Sequence, residues 1–489
     1  MDKSSLMMQT GMRLGAIALT KAIGFTGRVA LTRMIGAEGI GLFQIAYAYF
    51  GFVLMLITGG FPTSLALYTA RTKHQGWTWF KRLAVLLMIG GALAFLLTLA
   101  FTAELSHVMG SADSYFFIRA LAPAFVVVPP LALLRGYLQG MEHYQAVAFS
   151  EVAEQLVRIA MMLTLCFLLL PKGAHYAGGM SMMGTTLGGI AAFVILLAFT
   201  ARNTAEIGSP FSPSGTDKKW FLQSSFAICL TRLLIPFSDM IDAIIIPARL
   251  QSAGYSVNQA TALFGLLTGM ALLVAYMPTI VTAAISHTMT MKLSASWEKQ
   301  QENLFQAYSF KAIRYAWNWG LVSSLFFWIY SRELSLLLFN STDAAQLIQW
   351  LSPIPLIVGL REITTSILWA QDRRKITFIS TAVSIAFAVC CHYILIPYLH
   401  LNGAVVGILL MELIVLSANV FALRRLLKCT FWSKMAVWGF VILFIGIPLG
   451  YSSRMAAHTF FPGTPGEVTA MVLYGVCLLV LLQMVKPLG

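Results

Sequence analysis

Fourteen stretches of about twenty or more mainly apolar residues follow one another along this chain, at 9–32, 40–68, 82–103, 115–138, 146–170, 176–201, 220–247, 261–288, 310–331, 345–369, 376–398, 402–423, 431–452 and 467–486. A helix needs roughly 20 such residues to cross the hydrocarbon core of a bilayer. Inside lipid each backbone N–H and C=O must be satisfied within the protein, so runs of this kind are read as helices. Composition agrees with that reading. Of the 489 residues 58% are hydrophobic and only 11% charged, against about 25% charged in soluble domains. A chain so poor in charge cannot cover its surface in water. A soluble enzyme, a disordered protein and a nucleic-acid-binding module are therefore excluded. The expected fold class is an all-α polytopic membrane protein with 14 transmembrane helices.

The net charge of +14 would suggest nucleic acid or an acidic partner in a soluble protein. Here its distribution along the chain gives a different answer. The connections after even-numbered spans hold nineteen Lys and Arg, Arg135 among them, and the odd-numbered connections hold five. This asymmetry predicts that the even connections and both termini are cytoplasmic. Lys21 interrupts the only N-terminal apolar core that could serve as a cleaved signal, so the first run reads as a retained helix.

The two halves of the chain resemble each other. Pro62 in span 2 and Pro278 in span 8 stand 216 positions apart. Pro123 and Gln139 in span 4 have counterparts in Pro353 and Gln371 in span 10, at offsets of 230 and 232. The pattern predicts two pseudo-symmetric six-helix lobes in one orientation: 1–202 (spans 1–6) and 218–428 (spans 7–12). Residues 203–217, rich in Ser, Pro and Gly, read as a cytoplasmic linker, and 429–489 hold two appended helices.

Charges inside the apolar runs carry the functional signal, because one at mid-membrane costs about 2.5–3.5 kcal/mol and is retained only facing a cavity or a partner. Span 1 contains Lys21 and Arg28, seven residues apart on one face, and no acid. Two such cations suit an anion, phosphate above all, which Arg can grip bidentately. The alternative is that Arg28 snorkels to a headgroup or pairs with an acid elsewhere. Span 7 contains Arg232, Asp239 and Asp242 on nearly one face. These carboxylates suit a coupling cation or shared proton, or else an anchor for Arg28 across the pseudo-symmetric interface. Glu154 and Arg158 in span 5 read as an i, i+4 pair.

Other chemistry finds no support in the sequence. No G-x-x-x-x-G-K-[ST] motif is present, so no ATP motor is expected, and no H-E-x-x-H or G-x-S-x-G occurs. His287 and His392 lack a second ligand at metal spacing and read as core histidines, with no metal or cofactor expected. Cys166, Cys229, Cys390, Cys391 and Cys477 lie in apolar runs and read as small hydrophobes.

Three blocks of residues resemble a known group. They are Lys21-Ala-Ile-Gly24-Phe25-Thr-Gly-Arg28 continuing to Gly36 and Gly41, then Arg135-Gly136-Tyr137-Leu-Gln139-Gly140 with Glu154-Gln155-Leu-Val-Arg158, and Asp242 through Pro247 to Arg249. The chain is similar to the stage V sporulation protein B-like branch of the multidrug/oligosaccharidyl-lipid/polysaccharide (MOP) exporter superfamily, which also contains lipid II flippases and MATE drug exporters. That resemblance implies a V-shaped pair of lobes around a cation-lined cavity. It implies alternating access that moves an undecaprenyl-pyrophosphate-linked saccharide across the bacterial plasma membrane, for cell-wall, spore-cortex or surface-polysaccharide synthesis. Lys21, Arg28 and Arg232 would then meet the pyrophosphate, Asp239 and Asp242 would couple transport to H+ or Na+ or pair the lobes, and Gly24, Pro62 and Pro278 would be hinges. Arg135, Gly136, Gln139, Gly140, Glu154 and Arg158 would form a structural motif, and spans 13 and 14 a groove for the lipid tail. The chain departs from the better-described lipid II flippases in having no Lys or Arg within spans 2 and 8, which leaves the headgroup open. A cation-coupled drug exporter is the first rival, although span 1 has no acid. A membrane-embedded glycosyltransferase or polymerase is the second, although no external loop exceeds about 15 residues.

Overall fold

The computed structural model describes residues 3–72, 75–202, 215–427, 429–460 and 464–484, and among these every regular element is a helix. Contacts group the chain into two compact units, which divide between Gly265 and Leu266. The first contains α1 (Lys3–Thr58), α2 (Phe61–Thr72), α3 (Gly76–Ala100), α4 (Thr102–Val108), α5 (Ser114–Leu121), α6 (Ala124–Gly140), α7 (Tyr144–Leu169), α8 (Ala174–Ser181), α9 (Met183–Arg202), α10 (Gly215–Ser252) and α11 (Val257–Phe264). The second contains α12 (Leu272–Ala275), α13 (Thr279–Glu298), α14 (Glu302–Phe339), α15 (Ala345–Trp350), α16 (Ile354–Ala370), α17 (Arg374–Leu399), α18 (Leu401–Ala422), α19 (Cys429–Phe460) and α20 (Thr464–Met484).

Nine helices among the described residues are long and apolar enough to cross a membrane, or ten if the bent pair α5–α6 is one span. The fourteen expected crossings are not reached on length and hydropathy alone. Several of the runs are broken or charged. One candidate, Ala18–Thr72, runs through breaks at Gly36, where φ is +72°, and at Gly59, where φ is +51°. These left-handed values suit glycine because it has no Cβ. Another run, α10, carries Arg232, Asp239 and Asp242 in mid-helix.

Of the expected linker, residues 203–214 lie outside the described residues, while Gly215, Thr216 and Asp217 already belong to α10. By contacts, α10 and α11 group with the first unit. The reason is close backbone packing: a Cβ on Gly41 would overlap the carbonyl oxygen of Thr261, and one on Gly265 would overlap that of Ala37. Two glycines thus let the second arm of α1 lie directly on α11.

Equivalent stretches of the two units have similar forms. Pro123 and Pro353 cap the N-termini of α6 and α16, each 17 residues long and each preceded by a short helix. Both then turn through a left-handed acidic residue, Glu142 (φ 68°) or Asp372 (φ 57°), into the 26-residue helices α7 and α17. Pro62 lies in the first turn of α2, and Pro278 caps α13 after the break at Tyr276 and Met277. The Trp319 indole of α14 donates to the Pro278 carbonyl at 2.9 Å.

In a core cluster of the first unit the aromatic residues Tyr68, Trp79, Phe80, Tyr137 and Phe221 pack among leucines such as Leu65, Leu134 and Leu196. The second unit packs Ile313, Leu360, Ile363, Ile367 and Leu423 between α13, α14, α16 and α18. On α3, by contrast, Val85, Leu86, Ile89, Leu93 and Leu96 are exposed, as expected of a lipid-facing stripe. Arg454 of α19 pairs with the buried Glu333 of α14 at 2.6 Å, and Tyr474 of α20 donates to the Gly446 carbonyl of α19 at 3.0 Å. These contacts hold the two appended helices. His392 is fully buried in the space left by Gly407, whereas His287, expected in the core, is exposed.

Gly136 and Gly140 of α6 press against the backbone of α2, where a Cβ on Gly136 would overlap the Pro62 carbonyl oxygen and one on Gly140 would lie 2.6 Å from that of Ala66. Two small residues four apart are a common means of bringing membrane helices together. Gly136→Leu should therefore destabilise the detergent-solubilised chain by about 1–3 kcal/mol, whereas Gly475→Leu, where a Cβ meets open space, should leave the melting temperature unchanged. Equal melting of the two variants would contradict this packing.

Candidate functional site

Lys21 and Arg28 lie on α1 two turns apart, Lys21 exposed and Arg28 half-buried. The helix comes close to α7 because Gly24 and Gly27 carry no side chain. A Cβ on Gly24 would lie 2.7 Å from Gln155 Nε2, and one on Gly27 would overlap Ile159. Close approach brings Arg28 toward the polar turns of α7. Past the break at Gly36 the chain supplies Phe43, whose ring centre is 5.8 Å from the Arg28 guanidinium carbon. Phe43 stacks on Tyr47 at 4.6 Å, and the Tyr47 hydroxyl lies 2.6 Å from that of Thr185 on α9. An aromatic face attracts a cation but leaves its charge uncompensated.

No carboxylate forms an ion pair with Arg28 among the described residues, and one charge it experiences is that of another cation, Arg158. The pairing of Arg28 with Asp239 or Asp242, one of the readings left open by the sequence, is not formed.

The nearby acid is already occupied. Glu154, buried on α7, takes Arg135 of α6 at 2.7 Å through one oxygen and Arg158, one turn on, through the other. Arg135 Nε also donates to Ser150 Oγ at 3.1 Å. Counted from the sequence with a connection, Arg135 instead stands inside α6, where this carboxylate draws it. Arg135 Nη2 and Arg158 Nε are buried without a hydrogen-bond partner among the described residues. A buried guanidinium N–H without an acceptor is costly, so these donors favour an anion nearby.

The remaining candidates are less closely assembled. Gln139 is half-buried on α6, beside the Gly136–Gly140 contact. On α10, Arg232 is exposed and forms no ion pair among the described residues, despite its seven-residue spacing from Asp239. Asp239 and Asp242 lie one turn apart and repel each other electrostatically. Pro62 lies at the contact with Gly136, and Pro278 belongs to the second unit.

Sequence reading missed Phe43, Tyr47 and Ser150. Aromatic and small polar residues in an apolar run carry no distinguishing signal until the fold brings them to a charge. Gln155 was visible only as part of a motif.

The family model described as "Polysaccharide biosynthesis protein" matches residues 8–255. Stage V sporulation protein B of Bacillus subtilis (strain 168) is 24% identical over 461 residues, 91% of this chain and 88% of that protein. Lipid II flippase MurJ of the same organism is 23% identical over 424 residues, 80% of this chain and 77% of that one. Among solved structures, lipid II flippase MurJ in an inward closed conformation superposes with a TM-score of 0.70 at 13% identity, covering 96% of this chain and 98% of that chain. An inward-facing multidrug resistance MATE family transporter of the MOP superfamily also gives 0.70, at 15% identity, covering 85% of this chain and 98% of that chain. The fold is thus an all-α membrane architecture of the MOP type.

The bridge through Glu154 can be tested by itself. Glu154→Gln leaves two half-buried guanidiniums without their counter-charge and should cost about 1–3 kcal/mol of stability, read as a lower melting temperature in detergent. An unchanged melting temperature would remove Glu154 as the anchor of α6 on α7.

Proposed function

Because the chain belongs to the polysaccharide biosynthesis protein family, we propose that it is a flippase that moves an undecaprenyl-pyrophosphate-linked saccharide across the bacterial plasma membrane by alternating access. The observation that carries this reading is Arg28: a half-buried cation on an apolar helix, with an aromatic ring and another guanidinium for neighbours and no carboxylate partner among the described residues. Such a charge is stabilised by an anion from outside the protein, and a pyrophosphate supplies several acceptor oxygens. Lys21, two turns away on the same helix face, is the second contact, and Arg232 is a third candidate. Buried unpartnered donors on Arg135 and Arg158 add to the same field.

The flippase and sporulation names of the two Bacillus subtilis relatives support a lipid-linked saccharide as the substrate class. No covalent step is required, since the polar headgroup moves while the hydrocarbon tail stays in lipid. Asp239 and Asp242 are the proposed site where a cation, H+ or Na+, couples to the motion. Gly24 and Pro62 are the proposed hinges of the first unit, and Pro278 that of the second. The excess of Lys and Arg in even-numbered connections supports an orientation with both termini in the cytoplasm.

Transport of a fluorescent undecaprenyl-pyrophosphate-linked saccharide in reconstituted vesicles tests the role of Arg28. Arg28→Ala should lower the rate by at least about tenfold, Arg28→Lys should retain part of it, and Lys21→Ala should have the smaller effect. The melting temperature of Arg28→Ala should not fall. Undiminished transport by folded Arg28→Ala would overturn the assignment.

A further inference from the structure

Away from the cationic site, the first unit gathers three residues from connections far apart in sequence. Glu38 follows the break at Gly36 in α1, Asp113 immediately precedes α5, and His175 lies in the first turn of α8. These connections follow spans 1, 3 and 5, which alternation puts on one face. His175 Nε2 is 3.4 Å from Glu38 Oε1, and its Nδ1 is 3.5 Å from Asp113 Oδ2. One ligand atom from each residue lies within 4.8 Å of the other two. All three side chains are partly exposed, so ions can reach them.

The imidazole makes this more than an acidic cluster. A neutral histidine has one N–H and one bare lone pair. With carboxylate oxygens against both ring nitrogens, one lone pair must face another. Only a cation at that nitrogen relieves the repulsion, either a proton or a metal ion. Distance separates the two. Charge-assisted N–H···O bonds are about 2.7–2.9 Å long, shorter than either separation here. A metal with bonds of about 2.0–2.2 Å arranged tetrahedrally spaces its ligand atoms roughly 3.3 Å apart, close to the separation of Nε2 from Glu38.

We propose that Glu38, Asp113 and His175 form a binding site for a divalent transition-metal cation of the zinc class. One imidazole nitrogen and one oxygen from each carboxylate are the ligands, and the second nitrogen keeps its N–H. Mixed nitrogen and oxygen donors favour zinc and its neighbours over calcium or magnesium, which prefer oxygen alone. Three protein ligands leave a position for water. The ion would tie the break at Gly36 to the connections before α5 and α8, bracing this end of the first unit. Sequence spacing could not reveal it, because each ligand comes from a different connection. The inference does not depend on the flippase reading.

The test uses the tag-free full-length chain in detergent, with Zn2+ and Ca2+ as probes. After dialysis about one Zn2+ per chain should be retained, with a rise in melting temperature, and Ca2+ should not compete. His175→Gln should bind at least about tenfold more weakly, and Glu38→Gln combined with Asp113→Asn should do the same if the His175 variant fails to fold. Absence of retained Zn2+, equal affinity in a folded variant, or preference for Ca2+ would each overturn the proposal. So would a melting temperature that follows pH through His175 with no metal bound, which would identify the cation as a proton.

Discussion

A backbone in lipid has no water to complete its hydrogen bonds, and the rest of this structure depends on that constraint. It makes helix the default and makes each interruption need a local remedy. The remedies are visible where the helices break. At Gly36 and Gly59 glycine accepts left-handed backbone, and at Pro123, Pro278 and Pro353 a residue without an N–H opens the next helix. Because the breaks are few and placed, they also fix where the charged side chains stand. The Gly36 break returns the chain so that Phe43 reaches Arg28, which lies one arm earlier.

Glycine has a second task here, at contacts rather than bends. Gly24 and Gly27 bring α1 onto α7, Gly136 and Gly140 bring α6 onto α2, and Gly41 and Gly265 bring α1 onto α11. In lipid, apolar surface between helices gives little driving force of its own, so close van der Waals packing carries more of the association. The polar groups of the first unit depend on this tightness. Were α1 held off α7 by ordinary side chains, Arg28 would lose its place beside the α7 residues that surround the bridge through Glu154.

Much of the fold was legible in the amino-acid sequence, and for plain physical reasons. Apolar length predicts membrane helices, and the prolines and glycines that mark breaks are local signals. The repeated pattern around Pro123 and Pro353 reappears as two short-helix, long-helix turns of matching length. Spans 1 and 2 stand as separate runs in the sequence, and the left-handed φ of Gly36 marks the break between them. The candidate site was half legible. Charges in an apolar run stand out, so Lys21, Arg28 and Glu154 were found. Their neighbours Phe43, Tyr47 and Ser150 do not stand out, nor does the choice of partner: Arg135 looked like a loop cation until Glu154 was seen beside it. Glu38, Asp113 and His175 were invisible for a different reason, since their proximity is created entirely by tertiary structure.

At the break before α13 the Pro278 carbonyl accepts twice, from the Val281 N–H and from the Trp319 indole of α14. The second of these bonds ties the joint to α14. If the joint were pulled away from α14 within the membrane, the carbonyl would keep its bond from the Val281 N–H, but the indole N–H would face hydrocarbon without an acceptor, at a cost of about 1–3 kcal/mol. Movement that carries α13 and α14 together avoids that cost, and movement between them does not. A swivel at Pro278 would therefore carry α13 and α14 as a pair rather than turn one against the other.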